Sequence, residues 1–307
     1  MKTILLSSLL SLLVACSGAL SAQSLLIHYA FNDANTATTT ATDSSGNGRD
    51  ASITNWNGTS AQVPAALQTA TGVSGKAGDY AFDNTGAAGM GGFGNRGGQV
   101  RWTGTGAGET IGDLTSFTIT WWFKTPENVI AGNGARAVTL HNAATSDGTA
   151  YVESRFENNG VGRTVVTGSS TRDTPANTYG LANTWTFVAI TFDGTATESE
   201  RIKFYVGGLN TSVSLVGSYA STLTSIALGS TTNVLTLGGY NQGSGQTPFQ
   251  AVMDDFRLYS GTLDTSALND VRLDAIAIPE PATAALVTSL IALVVMVATG
   301  RYFRRNR

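Results

Sequence analysis

The sequence is poor in the residues that carry most redox and nucleophilic chemistry. It contains one cysteine, Cys16, and two histidines, His28 and His141, in 307 residues. A single cysteine excludes an intramolecular disulfide, so the folded part must be held by its hydrophobic core. Two histidines, with no serine or cysteine nucleophile in a recognisable motif, argue against a histidine-based catalytic triad. Zinc-ligand spacing, a phosphate-binding loop and a dinucleotide fingerprint are also missing.

Charged residues are scarce as well. They make up 13% of the chain, and 21 acidic residues against 18 basic ones give a formal net charge of −3. Four of the basic residues follow residue 300, so the central part of the chain is more acidic than the whole. An acidic domain repels phosphate groups, which argues against nucleic acid and anionic lipid as ligands.

Glycine, serine and threonine are abundant, and they indicate short strands joined by tight turns. The sequence has 36 glycines, and we find neither a heptad pattern nor a repeat of solenoid length. The clearest strand spans residues 117–124, where apolar Phe117, Ile119 and Phe123 alternate with Thr118 and other residues of the opposite face. A strand with one apolar face must be covered by a second sheet. We therefore predict an all-β, two-sheet antiparallel jelly-roll sandwich over residues 23–275.

The C-terminal end has the layout of a membrane span. Residues 282–299 are apolar and carry no formal charge, and a helix of this length would extend about 27 Å, close to the hydrocarbon thickness of a bilayer. An arginine cluster follows it and should stay in the cytoplasm, which leaves the rest of the chain outside. We predict one C-terminal transmembrane helix and an exported protein.

Three features in this order resemble the PEP-CTERM sorting signal of Gram-negative bacteria that make extracellular polysaccharide: Pro279, Glu280 and Pro281, then the apolar span, then the Arg-rich end. Ile278 stands where valine is usual. The resemblance implies that residues 276–307 anchor the chain transiently in the inner membrane. An exosortase would then remove this segment and deliver the protein to the cell envelope, cell surface or extracellular matrix. A plain C-terminal anchor is the alternative.

The N-terminal end has the layout of a secretory signal peptide over residues 1–22. A lysine precedes an apolar segment, and small residues follow at Gly18, Ala19, Ser21 and Ala22. The alternative is a lipobox at residues 13–16, which would make Cys16 a lipidated N-terminus.

Three local patterns resemble the laminin-G-like, concanavalin A-like family. They are residues 29–33 with the turn-rich 43–48, residues 185–194 with 204–208, and residues 253–259. The resemblance covers about residues 25–273 and differs at Gly207, where the family usually has asparagine. It implies a binding and adhesion fold, often for carbohydrate and often with one calcium ion.

Asp254 is the first candidate for a structural calcium site. Strict alternation gives it the same face as Phe256 and Leu258, so its carboxylate is predicted to point inward. A buried carboxylate must be paired, hydrogen-bonded or bound to metal. We predict Ca²⁺ ligands at Asp43, Asn47 and Asp254, with Asp33 and Asp255 as further candidates. The alternative is that Asp254 accepts backbone N–H groups and Asp43 only starts a turn.

Tryptophans are the candidates for stacking on sugar rings. Trp56, Trp102 and Trp122 are predicted ligand-binding residues, and alternation turns Trp122 away from the main core. Trp121 and Trp185 are predicted core residues.

One strand resembles the catalytic strand of laminarinase-type glycosidases. Glu153 and Glu157 share a predicted face, but Arg155 replaces the central acid. An intervening arginine would keep both glutamates ionised, which is unsuitable for a general acid. We predict that these carboxylates are exposed charges, that the chain has no catalytic residues and that it is not an enzyme.

The sequence as a whole predicts an exported carbohydrate-binding or adhesion module whose partner is a polysaccharide or surface glycan. Two alternatives remain. One is a glycosidase or polysaccharide lyase on the same fold, and the other is a structural matrix protein that does not bind sugar.

Overall fold

The computed structural model describes most of the predicted domain. The residues described are 23–33, 39–56, 62–64, 68–85, 98–106, 108–126, 135–142, 152–157, 161–166, 172–179, 182–239 and 247–277. The predicted signal peptide, Pro279, Glu280, Pro281 and the apolar run at 282–299 lie outside these residues. Within the described part, no helix has the length and apolarity needed to cross a membrane.

The described residues form short strands and one α-helix, in this order along the chain: β1 (Ser24–Tyr29), β2 (Thr40–Ala41), β3 (Ala51–Trp56), β4 (Gln62–Pro64), β5 (Gln68–Thr71), β6 (Tyr80–Asp83), β7 (Gly98–Thr105), β8 (Ser116–Lys124), β9 (Ala135–Asn142), β10 (Val152–Glu157), β11 (Val161–Val166), β12 (Arg172–Asp173), β13 (Thr186–Asp193), β14 (Ile202–Gly208), β15 (Ser214–Tyr219), β16 (Thr232–Leu237), β17 (Thr247–Pro248), β18 (Val252–Ser260) and α1 (Thr265–Ile276).

The strands form two sheets. The 8-stranded sheet has the order β15-β14-β13-β8-β18-β6-β5, and β1 pairs with β18. The 10-stranded sheet has the order β12-β11-β10-β9-β16-β7-β3-β2, with β17 on β9 and β4 on β3. All pairings are antiparallel except that of β17 with β9. The predicted all-β jelly-roll sandwich is confirmed.

The main core lies between the two sheets. From the 8-stranded sheet it takes the alternating residues of β8, such as Phe117, Ile119 and Trp121, and from the 10-stranded sheet it takes residues such as Leu140 and Phe156. The alternation of apolar residues in β8 therefore produced the expected face.

A second apolar cluster lies on the outer face of the 8-stranded sheet, beneath α1. It contains Trp122, Phe187 and Leu268 of the helix. Asp264 caps the helix by accepting a hydrogen bond from the N–H of Ala267. Trp122 does turn away from the main core, but the helix and its neighbours bury it completely. The helix was not predicted, although Asp264 followed by apolar residues at helical spacing is a signal for one.

The last strand, β18, contains a bulge that changes which face its side chains occupy. Asp254 pairs with Trp122 and Arg257 with Thr120, so the register shifts between them, and Asp255 has a φ of 45°. The inserted residue reverses the alternation, because two residues of β18 oppose one of β8. Asp254 therefore shares the outer face with Trp122, while Phe256 faces the main core. The predicted inward direction of Asp254 was wrong for this reason, although its burial was right.

Candidate functional site

The outward-facing side of the 10-stranded sheet is polar across several strands. Glu153 of β10 lies opposite Thr139 of β9, which in turn lies opposite Thr236 of β16. Thr236 lies opposite Arg101 of β7. We call this surface the polar face and define it by these residues: Gln99, Arg101, Thr103, Thr139, Glu153, Arg155, Glu157, Arg163 and Thr236.

The two glutamates of β10 are buried in the polar face and held by arginines. Glu153 is 4% exposed and Glu157 7% exposed. Arg136 and Arg155 both pair with Glu153, with 2.6 Å between Arg136 Nε and Glu153 Oε1. The prediction that these glutamates are exposed surface charges was therefore wrong. A buried carboxylate is stable only when it is paired, and the neighbouring strands supply the arginines that pair with these two.

Arg163 extends the same network across β11. Its Nη1 donates to Glu157 at 2.9 Å, and its Nε and Nη2 donate to the two carboxylate oxygens of Asp173 at 2.7 and 2.9 Å. The hydrogen bonds from Arg163 lower the pKa of Asp173, and Asp173 in turn raises the pKa of Arg163. The ionised form of the Arg163–Asp173 pair is therefore favoured. The Arg155 and Arg163 side chains are 27% and 30% exposed to solvent.

Thr139 and Thr236 add two unpaired hydroxyls beside these charges. Both side chains are buried, and neither hydroxyl has a hydrogen-bond partner in the described part of the chain. A buried polar group without a partner is costly, so a native structure normally supplies one from protein, water or ligand. The polar face thus offers fixed guanidinium donors, carboxylate acceptors and free hydroxyls. Such groups can hydrogen-bond hydroxyl or carboxylate groups.

The predicted sugar-stacking tryptophans are not gathered on this face. Trp102 is 5% exposed and packs in the main core, with the Arg49 guanidinium 5.9 Å from its ring centroid. Trp122 is fully buried under α1, so both predictions were wrong, because these rings fill the core and the second cluster. Trp56 ends β3, and its side chain lies outside the described residues. Trp121 and Trp185 are buried, as predicted.

Asp43 and Asn47 organise the early turn-rich loop. The Asp43 carboxylate accepts hydrogen bonds from the N–H groups of His28, Ser45 and Arg49, and from the Ser45 hydroxyl. Burial alone would raise the pKa of Asp43, but these hydrogen bonds together lower it. The Asn47 amide donates to the carbonyl oxygens of Leu25 and Leu26 on β1. Asp43 therefore has four donors and needs no metal to be stable.

Asp254 lies in a different group of carboxylates. Its two oxygens accept the N–H groups of Val73 and Asp255, both at 2.7 Å. Burial raises the pKa of Asp254 well above its usual range, and the nearby charges of Asp79 and Asp255 raise it further. One oxygen each of Asp79 and Asp255, Oδ1 and Oδ2 respectively, is buried without a hydrogen-bond partner in the described part of the chain.

His28 of β1 links these two groups. The His28 N–H donates to Asp43, while the His28 ring contacts Asp255 Oδ1 at 2.7 Å. Among the described residues, no set of three or more histidine, cysteine, aspartate or glutamate side chains is arranged to hold a metal ion. Asp43 and Asn47 lie together in one loop, and Asp254 has its own partners. Calcium binding stays a prediction.

The chain is similar to known proteins over most of this fold. The concanavalin A-like lectin/glucanases superfamily, in its Laminin_G_3 form, matches residues 93–268. No curated protein sequence matches the chain.

Two solved structures illustrate the likeness. One is domain 4 of AbnA, a GH43 extracellular arabinanase from Geobacillus stearothermophilus, in complex with arabinotriose. It is 17% identical with a TM-score of 0.50, and the match covers 81% of this chain and 98% of that one. The other is Trypanosoma rangeli sialidase with 2,3-difluorosialic acid, which is 15% identical with a TM-score of 0.52. That match covers 83% of this chain but only 33% of the sialidase. At these identities the likeness shows a shared fold.

These comparisons correct the prediction that the chain is not an enzyme. The superfamily includes glucanases by its own description, and the similar structures come from an arabinanase and a sialidase. The argument against catalysis had also treated Glu153 and Glu157 as exposed, whereas both are buried. Neither the fold nor these side chains exclude catalysis.

The raised pKa of Asp254 predicts a pH-dependent stability. The folded state keeps the Asp254 proton to a higher pH than the unfolded chain does. The contribution of Asp254 to the free energy of unfolding is therefore fully present below about pH 4, and it declines as the pH rises toward the folded pKa. Asparagine cannot ionise. The free energy of unfolding of Asp254→Asn, relative to the native protein, should therefore increase as the pH rises.

Urea denaturation between about pH 4 and pH 8, in buffer with a chelator, measures this difference. The control is Ser266→Ala, at an exposed position of α1. It changes no titratable group, so its difference from the native protein should not change with pH. A difference for Asp254→Asn that is also constant with pH would contradict the account.

Proposed function

Because the chain belongs to the concanavalin A-like lectin/glucanases superfamily, we propose that it binds polysaccharide through the polar face of its 10-stranded sheet. The observation that carries the proposal is the network in which arginines hold the buried glutamates of β10 while remaining partly exposed themselves. Such donors are fixed before the ligand arrives, which lowers the entropy cost of binding. Sugar hydroxyls can both donate to the carboxylates and accept from the guanidinium groups.

The unpaired hydroxyls of Thr139 and Thr236 support the same assignment. Thr139 lies opposite Glu153 and Thr236 lies opposite Thr139 in the register of the sheet. A polar ligand or its bound water would give both hydroxyls the partner they lack. The acidic composition of the chain also disfavours nucleic acid as the partner of this face.

Substitution of Arg155 tests this function with little risk to the fold. Arg155→Gln removes a partly exposed guanidinium, while Arg136 still pairs with Glu153. We expect at least about tenfold weaker binding, which corresponds to about 1.4 kcal/mol, to the polysaccharides that the native protein retains on affinity electrophoresis. Lys76→Gln, which removes a charge from the loop before β6, should bind like the native protein. Equal binding by Arg155→Gln would exclude the polar face, and failure of the native protein to bind any glycan would favour a structural matrix protein.

Cleavage of the bound glycan is the second candidate function. It is favoured by two buried carboxylates, Glu153 and Glu157, on the face where the glycan would bind. Release of sugar fragments during the same binding assays, lost in Glu153→Gln and Glu157→Gln, would support it. Fragment release that persists in both variants would exclude these two residues.

We also propose that the protein binds calcium as a structural ion. The donor set around Asp254 suits it better than the set around Asp43, because Asp79 and Asp255 each have a buried oxygen without a partner, while both Asp43 oxygens have donors. Calcium favours such carboxylate oxygens. We expect calcium to raise the melting temperature of the native protein above its value in chelator, and not that of Asp254→Asn. Equal shifts in both would contradict the assignment to Asp254.

Export and surface sorting complete the proposal. They are supported by the sequence alone: the signal-peptide layout of residues 1–22, and the sorting motif Pro279, Glu280 and Pro281 before the apolar run. In a host that contains an exosortase, the intact mass of the secreted protein should lack the span and its Arg-rich end. Retention of residues 282–307 in the surface protein would favour a plain anchor.

A further inference from the structure

A second groove lies on the outer face of the other sheet, at a distance from the polar face. It is a cavity of about 750 Å³, within the range of small-molecule sites. Its floor consists of outward-facing residues on three adjacent strands: Ser116 of β8, Thr191 and Asp193 of β13, and Lys203 and Tyr205 of β14.

The groove begins where the outer face changes from apolar to polar. Along β13 the outward residues are Phe187 and Ala189, which belong to the cluster under α1, and then Thr191 and Asp193. The helix starts at Thr265, beside the groove. The apolar half of the strand is therefore covered, whereas the polar half is left open. Polar side chains are expected where an antiparallel sheet faces solvent, and here they line a groove.

Both walls of the groove are fixed by hydrogen bonds. On one side, the Thr118 hydroxyl donates to the Gly261 carbonyl and accepts the Leu263 N–H, both at 2.9 Å. On the other side, Asp193 Oδ1 accepts the N–H and the hydroxyl of Thr195 at 2.9 and 2.6 Å. A groove with fixed walls keeps its shape before a ligand binds, so less conformational entropy is lost on binding.

The side chains in the groove suit a polyhydroxylated ligand. The Lys203 ammonium group has no hydrogen bond or ion pair with the residues that the structure describes, so it is available as a donor. Asp193 and Glu200 supply acceptors, and Ser116 supplies a hydroxyl that can donate or accept. The Thr195 hydroxyl donates its proton to Asp193 and can therefore accept. Acidic groups outnumber basic ones here, because Asp264 also lines the groove. An anionic ligand is therefore disfavoured.

We propose that this groove is a second carbohydrate-binding site, which takes a short segment of a neutral polysaccharide. It goes beyond the proposed function, because it uses a different sheet, different strands and no residue of the polar face. Two sites on opposite faces of one sandwich cannot both hold a single straight segment of glycan. The protein would bridge two polysaccharide chains, and the bridging would strengthen the retention of both by avidity.

Two substitutions in the groove test the site independently. Ala196→Trp adds a large side chain to the wall beside Asp193, and Lys203→Gln removes the ammonium group. The matched controls are Ser212→Trp, at an exposed position of the turn between β14 and β15 and outside the groove lining, and Lys76→Gln. Isothermal titration of the full protein with neutral gluco-, galacto-, manno- and arabino-oligosaccharides gives the number of sites per chain.

The native protein and both controls should show two sites per chain. Ala196→Trp and Lys203→Gln should lose one site and retain the other, while Arg155→Gln should lose the opposite one. Turbidity of a polysaccharide solution, which reports bridging, should fall in all three of these variants. If Ala196→Trp melts at a lower temperature than the Ser212→Trp control, the loss of a site in Lys203→Gln alone tests the groove.

The outcomes separate the two sites. A single site that Ala196→Trp and Lys203→Gln leave intact and Arg155→Gln abolishes would overturn the groove and retain the polar face. A single site that Ala196→Trp and Lys203→Gln abolish and Arg155→Gln leaves intact would retain the groove and overturn the polar face. Absence of oligosaccharide binding in the native protein would overturn the groove proposal.

Discussion

The bulge in β18 is the constraint on which the rest of the molecule depends. This strand pairs with β1, β6 and β8, so it joins the first and last parts of the domain in the middle of a sheet. At Asp255 the backbone takes a positive φ, and its carboxylate contacts the ring of His28 and the guanidinium of Arg257. A non-glycine residue holds this conformation only where its surroundings compensate for it. The bulge lets one strand present apolar residues to the main core and carboxylates to the other side.

The two outer faces of the sandwich differ in how they are covered. The outer face of the 8-stranded sheet is covered by α1 over Trp122 and Phe187, and it is open at the groove beyond the start of the helix. The outer face of the 10-stranded sheet is polar, and its glutamates are buried by pairing with arginines rather than by an apolar cover. Polar surfaces are therefore left on both outer sides of the sandwich, while the main core and the cluster under α1 supply its stability.

The sequence predicted the fold better than the site. Alternation in β8 predicted the core because its period is not interrupted, and the same rule failed for Asp254 because the bulge inserts one residue. The burial of Glu153 was not predicted, because its partner Arg136 lies on another strand and no local sequence pattern reveals that pairing. Tryptophan composition could not separate a stacking residue from a core residue, and Trp102 and Trp122 proved to be core residues. The groove beside α1 was missed together with the helix.

The central claim is that the arginine-held polar face contacts polysaccharide. The most direct measurement is the NMR signal of the guanidinium Nε–H groups of Arg155 and Arg163, recorded while an oligosaccharide is added. Both groups are partly exposed and have fixed carboxylate partners, so a bound sugar must change their environment. The account predicts saturable shifts of both signals, with the Lys124 and Trp185 signals on the other sheet unchanged. Saturable binding that leaves both arginine signals unmoved would contradict it.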